Sequence, residues 1–115
     1  MLITKQHGVN YLEMKNRQKV LQLLGLARRA SKLTTGDENV LKNIRNKKTY
    51  FVFVASDSSE ATLKKYTNKC HSYQIAMDSS FTQAELSNAI GISRKLIAVD
   101  DSGFSRKITI LLERE

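Results

Sequence analysis

Short apolar strand-like segments alternating with amphipathic helical segments predict an α/β fold. Three observations carry this. The apolar period switches back and forth between helical and strand spacing. The connections are only a few residues long. The resulting order, αβαβαβαβα, implies a mainly parallel or mixed sheet covered by helices. The 115 residues amount to one domain, and an apolar content of 41% is enough for a core without a disulfide or metal staple.

The elements follow in order. Residues 1–14 show no periodicity and are expected as an N-terminal tail, frayed or disordered, with Met14 an alternative start and the domain at 15–115. "NRQKVLQLLGLARRA" carries Val20, Leu23, Leu24 and Ala27 at helical spacing, with bases on its other faces. "KLTT" reads as a short strand. "DENVLKNIRNKK" puts Val40, Leu41 and Ile44 on one side of a second helix. "TYFVFVA", 49–55, is a continuous apolar run, as expected of a strand covered on both faces. Asp57, with Glu60 three residues on, reads as the N-cap of a third helix whose Leu63, Tyr66 and Cys70 face inward. "SYQIAMD" alternates Tyr73, Ile75 and Met77 as a half-buried strand. Thr82 and Glu85 form a capping-box pattern for a fourth helix, which Gly91 ends. "KLIAVD" is the last strand. Asp100-Asp101 reads as an N-cap for a closing helix that packs Phe104, Ile108, Leu111 and Leu112 inward.

The net charge of +8 is concentrated. Between Lys15 and Lys48 stand ten bases and two acids, Asp37 and Glu38, while the rest of the chain is balanced. Such asymmetry points to a polyanion-binding face, with nucleic acid the commonest partner. The inventory for chemistry is empty by contrast. His7 and His71 are the two histidines, and Cys70-His71 is a neighbouring pair rather than the three or four convergent ligands a zinc site needs. Cys70, the single cysteine, cannot form an internal disulfide and reads as a small core residue. No glycine-rich phosphate loop, signal peptide or apolar run of membrane-spanning length is present. The expectation is a cytoplasmic protein without metal or cofactor, and not an enzyme.

The segment "TTGDEN" opens the second helix inside the basic third. Helix starts present free N–H groups and the positive end of the dipole to anions. Gly36 would let a nucleic-acid backbone approach without a side-chain clash. Asp37 reads as a first-turn helix stabiliser. Glu38 has two readings, partner of Thr35 in a capping box or acceptor at a base edge, and it also stands four residues before Lys42 as a helix-stabilising pair. Asn39 is a second candidate for base edges. Arg28, Lys32, Lys42 and Arg45 are candidates to neutralise phosphates.

"LLGLARRASKLTTGDENVLKNIRNKK", "FVFVASDSSEATLKKYTNKC" and "FTQAELSNAIGIS" followed by "LIAV" come in this order over roughly residues 15–112. Together they resemble the L-seven-Ae/L-thirty-e family of ribosomal-type RNA-binding proteins, most closely its small bacterial members of the YlxQ type. The resemblance implies a three-layer α/β/α sandwich with a central mixed four-stranded sheet. It also implies binding of structured RNA, typically a kink-turn, a helix–bulge–helix with tandem sheared G·A pairs. That family reads the RNA at the start of its second helix, through Gly-x-Asn-Glu and a following Lys. Gly36 and Lys42 match, while Glu38 and Asn39 stand in exchanged order. The loop before the last strand, here Gly91, Ile92, Ser93, Arg94 and Lys95, is implied as a second contact that packs on a flipped base. The partner expected is structured RNA, ribosomal RNA included, within a ribonucleoprotein or on the ribosome. The rival expectation is a protein-interaction module whose basic face binds an acidic ribosome-associated partner. RNA co-purifying with the protein separates the two.

Overall fold

The computed structural model describes residues 2–113, with side chains from Met14 onward. Among these residues the chain alternates α1 (Leu2–Arg29), β1 (Leu33–Thr35), α2 (Asp37–Arg45), β2 (Phe51–Val54), α3 (Glu60–Ser72), β3 (Ala76–Asp78), α4 (Gln83–Ile90), β4 (Leu96–Val99) and α5 (Ser102–Glu113). The stretch read as a tail is backbone-helical from Leu2 and continuous with α1, and its side chains to residue 13 lie outside the described residues. No described helix is long and apolar enough to cross a membrane.

The strands form one sheet in the order β1-β4-β2-β3. β4 is antiparallel to both its neighbours, and β2 and β3 are parallel. β1, β2 and β3 therefore point the same way, and β4 points against them. This topology puts three strand-to-helix junctions at one end of the sheet, together with the loop that enters β4.

Both sheet faces are covered, which makes the three layers. In β2, successive side chains point to opposite faces. Phe51 and Phe53 pack with Val20 and Leu24 of α1, Leu86 of α4 and Ile108 of α5. Val52 and Val54 pack on the other side with Val40 and Ile44 of α2 and Tyr66 and Cys70 of α3. All four residues of β2 and of β4 are buried, so their continuous apolar sequence has a physical reason. Burial also pushes the Cys70 thiol up to about 11, so it stays a neutral core side chain at ordinary pH.

Several helix ends follow the expected chemistry. Thr82 Oγ1 accepts from Glu85 N at 3.1 Å and Glu85 Oε1 from Thr82 N at 2.9 Å, a complete capping box. Gly91 closes α4 in the left-handed region, at φ 80°. Asp101 Oδ2 accepts from Phe104 N at 2.9 Å and so caps α5. One cap is a correction. Ser59, not Asp57, is the N-cap of α3, accepting from Thr62 N at 3.1 Å. Asp57 is diverted to α4, where its Oδ1 accepts from Gln83 N at 2.9 Å. A carboxylate near two helix starts goes to the one whose free N–H lacks another acceptor. A second difference is the length of β3. The helix persists to Ser72, Tyr73 is its C-cap, and pairing begins only at Ala76.

Three helices end in a non-glycine residue at positive φ: Ser31 (60°), Lys47 (57°) and Gln74 (57°). In each case the following N–H reaches back across the last turn: Lys32 to Ala27 O, Lys48 to Asn43 O and Ile75 to Cys70 O, at 2.8 to 2.9 Å. Such ends favour glycine. Replacing Ser31, Lys47 or Gln74 by glycine should each stabilise the fold by about 1 kcal/mol, read as a rise of a few degrees in thermal midpoint. Unchanged or lowered midpoints would contradict the assignment of strain to these positions.

Candidate nucleic-acid interface

The end of the sheet that gathers the junctions holds a cleft of about 540 Å³. Its wall on one side is the start of α2, Gly36 and Asp37, and on the other the loop into β4, Ser93, Arg94 and Lys95. α3 supplies Thr62, Lys65 and Tyr66, and α4 supplies Gln83.

The start of α2 has no side-chain cap. The first intrahelical bond is Val40 N to Gly36 O, at 3.0 Å, so the Asp37, Glu38 and Asn39 amides precede the helical ladder. Gly36 is the N-cap, at φ 92° and ψ 147°, a conformation close to glycine-only backbone. A Cβ added there would meet nothing within 4 Å. Glycine is thus required for backbone conformation, and the space in front of it is open.

The capping box read at Thr35 and Glu38 is not formed. Thr35 Oγ1 accepts instead from Arg94 Nε at 3.1 Å, which ties the β4 loop to the junction before α2. Paired in β1, Thr35 sits opposite Ile97 and is held too far back in the strand to cap the helix. Glu38 and Asn39 are left exposed on the first turn. Glu38 and Lys42 make no ion pair with each other within 4 Å, and both side chains face solvent.

Asp37 does stabilise the first turn, in a way the sequence did not reveal. The buried Tyr66 hydroxyl donates to Asp37 Oδ1, and Lys65 Nζ lies 3.5 Å from Oδ2. This anchors α2 to α3. Residues Lys65, Tyr66, Thr62 and Gln83 were missed because they sit on α3 and α4, far from the basic third in sequence. The signal available was topological: parallel strands bring every following helix start to the same end.

The loop is rigidly placed. Ser87 Oγ accepts from Arg94 N at 2.9 Å and donates to Arg94 O at 3.1 Å, and Ala55 N donates to Lys95 O at 2.8 Å. Arg94 also donates to Ser93 O at 2.8 Å. Gly91 and Ile92 lie beside the cleft, in a neighbouring shallow depression with Ser93, Glu85 and Asn88.

The fold does not bring all the expected bases here. Arg28 donates to Ile90 O, at the end of α4, and so acts on a helix C-terminus. Lys32 precedes β1, and Arg45 ends α2, so both belong to the opposite end of the sheet. Lys42 lies between, exposed on α2. Arg17 is structural. It donates to Ser80 at 2.9 Å and stacks on the Phe81 ring at 3.9 Å, pinning α1 to the start of α4.

A family model described as the ribosomal protein L7Ae/L30e/S12e/Gadd45 family matches residues 18–109. The chain belongs to that family. Among relatives of this L7Ae/L30e/S12e/Gadd45 member, the RNA-binding protein YlxQ of Enterococcus faecium is 45% identical over 98 residues, covering 85% of this chain and 95% of the relative. The RNA-binding protein YlxQ of Bacillus subtilis is 40% identical over 92 residues, covering 79% and 92%. A solved protein of unknown function from Bacillus halodurans superposes with a TM-score of 0.80 at 44% identity, over 83% of this chain and 97% of that one. The 15.5kD RNA binding protein of Giardia lamblia superposes at 0.72 with 11% identity, over 87% of each chain, and shares the fold. Against the L7Ae-type expectation, the mixed four-stranded sheet and the two helical layers are as implied by the resemblance.

Proposed function

We propose that this protein binds bent, structured RNA of the kink-turn kind in the cytoplasm, without catalysis, through the cleft between the start of α2 and the 91–95 loop. One observation carries the reading. An uncapped helix start, opened by a glycine with free space in front of it, faces Arg94 and Lys95 across a cleft large enough to admit a nucleotide edge. The names of the two YlxQ relatives and of the Giardia protein support RNA as the ligand class.

In this mechanism Lys42, Lys95 and Arg94 neutralise phosphates, and displaced counterions make affinity fall with salt. The amides of Asp37, Glu38 and Asn39 donate to phosphate or base acceptors. The Glu38 carboxylate accepts from base amino and imino groups, and the adjacent Asn39 offers both donor and acceptor. Freed from any cap, Glu38 is available for this role. The 91–95 loop packs from the far side on an unstacked base. A regular A-form helix hides its base edges in a deep, narrow groove, so a bend or bulge is what exposes them.

Titrating the protein with a kink-turn RNA and with a straight duplex of equal length, at two salt concentrations, tests this. Tighter binding to the bent RNA at both salts is expected. Lys42→Ala should weaken binding to the bent RNA and flatten the salt slope by about one unit. Equal affinity for the two RNAs removes the shape-specific reading, and an unaffected Lys42→Ala removes α2 from the contact.

A further inference from the structure

The bases that the cleft leaves unused point to a second site. Arg45, Lys47 and Lys48 sit where α2 ends, at the opposite end of the sheet from the cleft. The four-residue strand β2 separates the two ends, on the order of 13 Å of backbone. Two tyrosines stand there with them. Tyr50, just before β2, is 51% exposed, and Tyr73, the C-cap of α3, is 36% exposed. Both line one small cleft of about 180 Å³, together with Lys47, Thr49, Gln74 and Ile75.

The bland account is a solubilising rim, and the placement argues against it. A buried aromatic ring is a core residue, but both of these side chains stay partly exposed beside backbone that is fixed by hydrogen bonds. Tyr50 N donates to Val99 O at 2.9 Å and Tyr73 N to Lys69 O at 3.0 Å. Neither hydroxyl makes a hydrogen bond among the described residues, so no polar contact inside the protein fixes the position of either ring. The segments 45–50 and 69–75 contain no acid, while Arg45, Lys47, Lys48 and Lys69 stand within them. Of the two carboxylates that follow β4 at this end of the sheet, Asp100 accepts from Thr34 and Asn43 and Asp101 caps α5. Cations beside partly exposed aromatic faces are what single-stranded nucleic acid requires: charge tracks the backbone while bases stack on the rings.

We propose that Tyr50 and Tyr73, with Lys47 and Lys48, form a second RNA contact that takes an unpaired strand leaving the structured element held at the cleft. The inference rests on the RNA-binding reading for the ligand class but uses a separate surface and a separate ligand form. Base stacking on Tyr50 and Tyr73 is tolerant of sequence. The lysines hold the phosphates between stacked bases. The two sites together select a bent element with a single-stranded flank over the bent element alone.

The test compares a kink-turn RNA with the same RNA carrying a short oligouridine extension, using the full chain. The extension should tighten binding by about 5-fold or more, the lower range of stacking one base on an aromatic side chain. Tyr50→Ala/Tyr73→Ala together should abolish that gain and leave affinity for the unextended RNA unchanged, whereas Tyr50→Phe/Tyr73→Phe should preserve it, since the rings remain. Both tyrosines are partly exposed and lie outside the core clusters, and thermal unfolding checks that the variants fold. No gain from the extension, or an equal gain in the alanine variant, overturns the second contact while the cleft reading stands. Loss of bent-RNA preference with the tyrosine-dependent oligouridine gain intact overturns the cleft reading and supports this one.

Discussion

Gly36→Ala should lower stability by about 1–3 kcal/mol, although the new methyl group would touch nothing. The cause is backbone conformation. At φ 92° and ψ 147° an L side chain is strained whatever room it has. To relieve the strain the chain must rotate at Gly36, and rotation there swings the first turn of α2 away from the Arg94–Thr35 hydrogen bond. Affinity for bent RNA should therefore drop by more than the stability loss alone explains at a temperature where the variant is still folded. Gly91→Asn is the matched control. Gly91 lies at φ 80° and ψ 15°, in the left-handed region that asparagine tolerates, so this change should cost little. Denaturant unfolding of the two variants, side by side, and RNA titration of Gly36→Ala against the parent decide the matter. A Gly36→Ala protein as stable as the parent would show that the junction adapts freely and that the glycine is not what shapes the site.

Phe53→Ala should be costlier still, about 3–5 kcal/mol. Phe53 is fully buried and lies 4.8 Å from the Phe51 ring and 6.0 Å from the Phe81 ring, between centroids. It lies in the cluster shared by α1, α4, α5 and the sheet, and buried neighbours on rigid elements cannot close a cavity of that size. Domains of this size have about 5–15 kcal/mol in total, so the variant loses a large fraction of its stability. Urea unfolding measures it. A loss below about 1 kcal/mol would mean that the neighbouring helices collapse onto the space.

The helices and strands were legible because their apolar periods are strong and their boundaries carry cap chemistry. Thr82 with Glu85, Gly91 and Asp101 are all where a local reading puts them, since their partners lie within four residues. The misread positions share the opposite property. Asp57 and Thr35 each looked like caps for the helix that follows them. Each is instead claimed by a group distant in sequence, Gln83 N for Asp57 and Arg94 Nε for Thr35. A carboxylate or hydroxyl cannot advertise in sequence which of two nearby donors it will meet. The candidate site shows the same division. The start of α2 and the 91–95 loop were expected together and do meet at one cleft. Lys65, Tyr66 and Gln83 were not foreseen, because only the sheet order brings them there. The charge pattern was also ambiguous in a specific way. A basic third of the chain reads as one face, but β1 sets Lys32 at the far end of the sheet and the nine-residue α2 carries Arg45, Lys47 and Lys48 back to it, so these bases part company with the cleft.

The place of β4 has a further consequence, for the order in which the molecule is assembled. β4 is the last described strand in chain order and the only described strand that β1 pairs with. It also separates β1 from β2. Until Val99 has emerged from the ribosome, β1 has no ladder partner, β2 lacks one of its two neighbours, and α2 covers an incomplete floor. The cleft has only one wall until then, since Arg94 and Lys95 arrive with the same segment. Pairing of β1 and completion of the cleft thus both wait for β4, while β2 and β3 can pair before it. Long-range pairing of this kind slows folding through loop closure, and a chain truncated before β4 should be neither a smaller version of this domain nor a partial RNA binder.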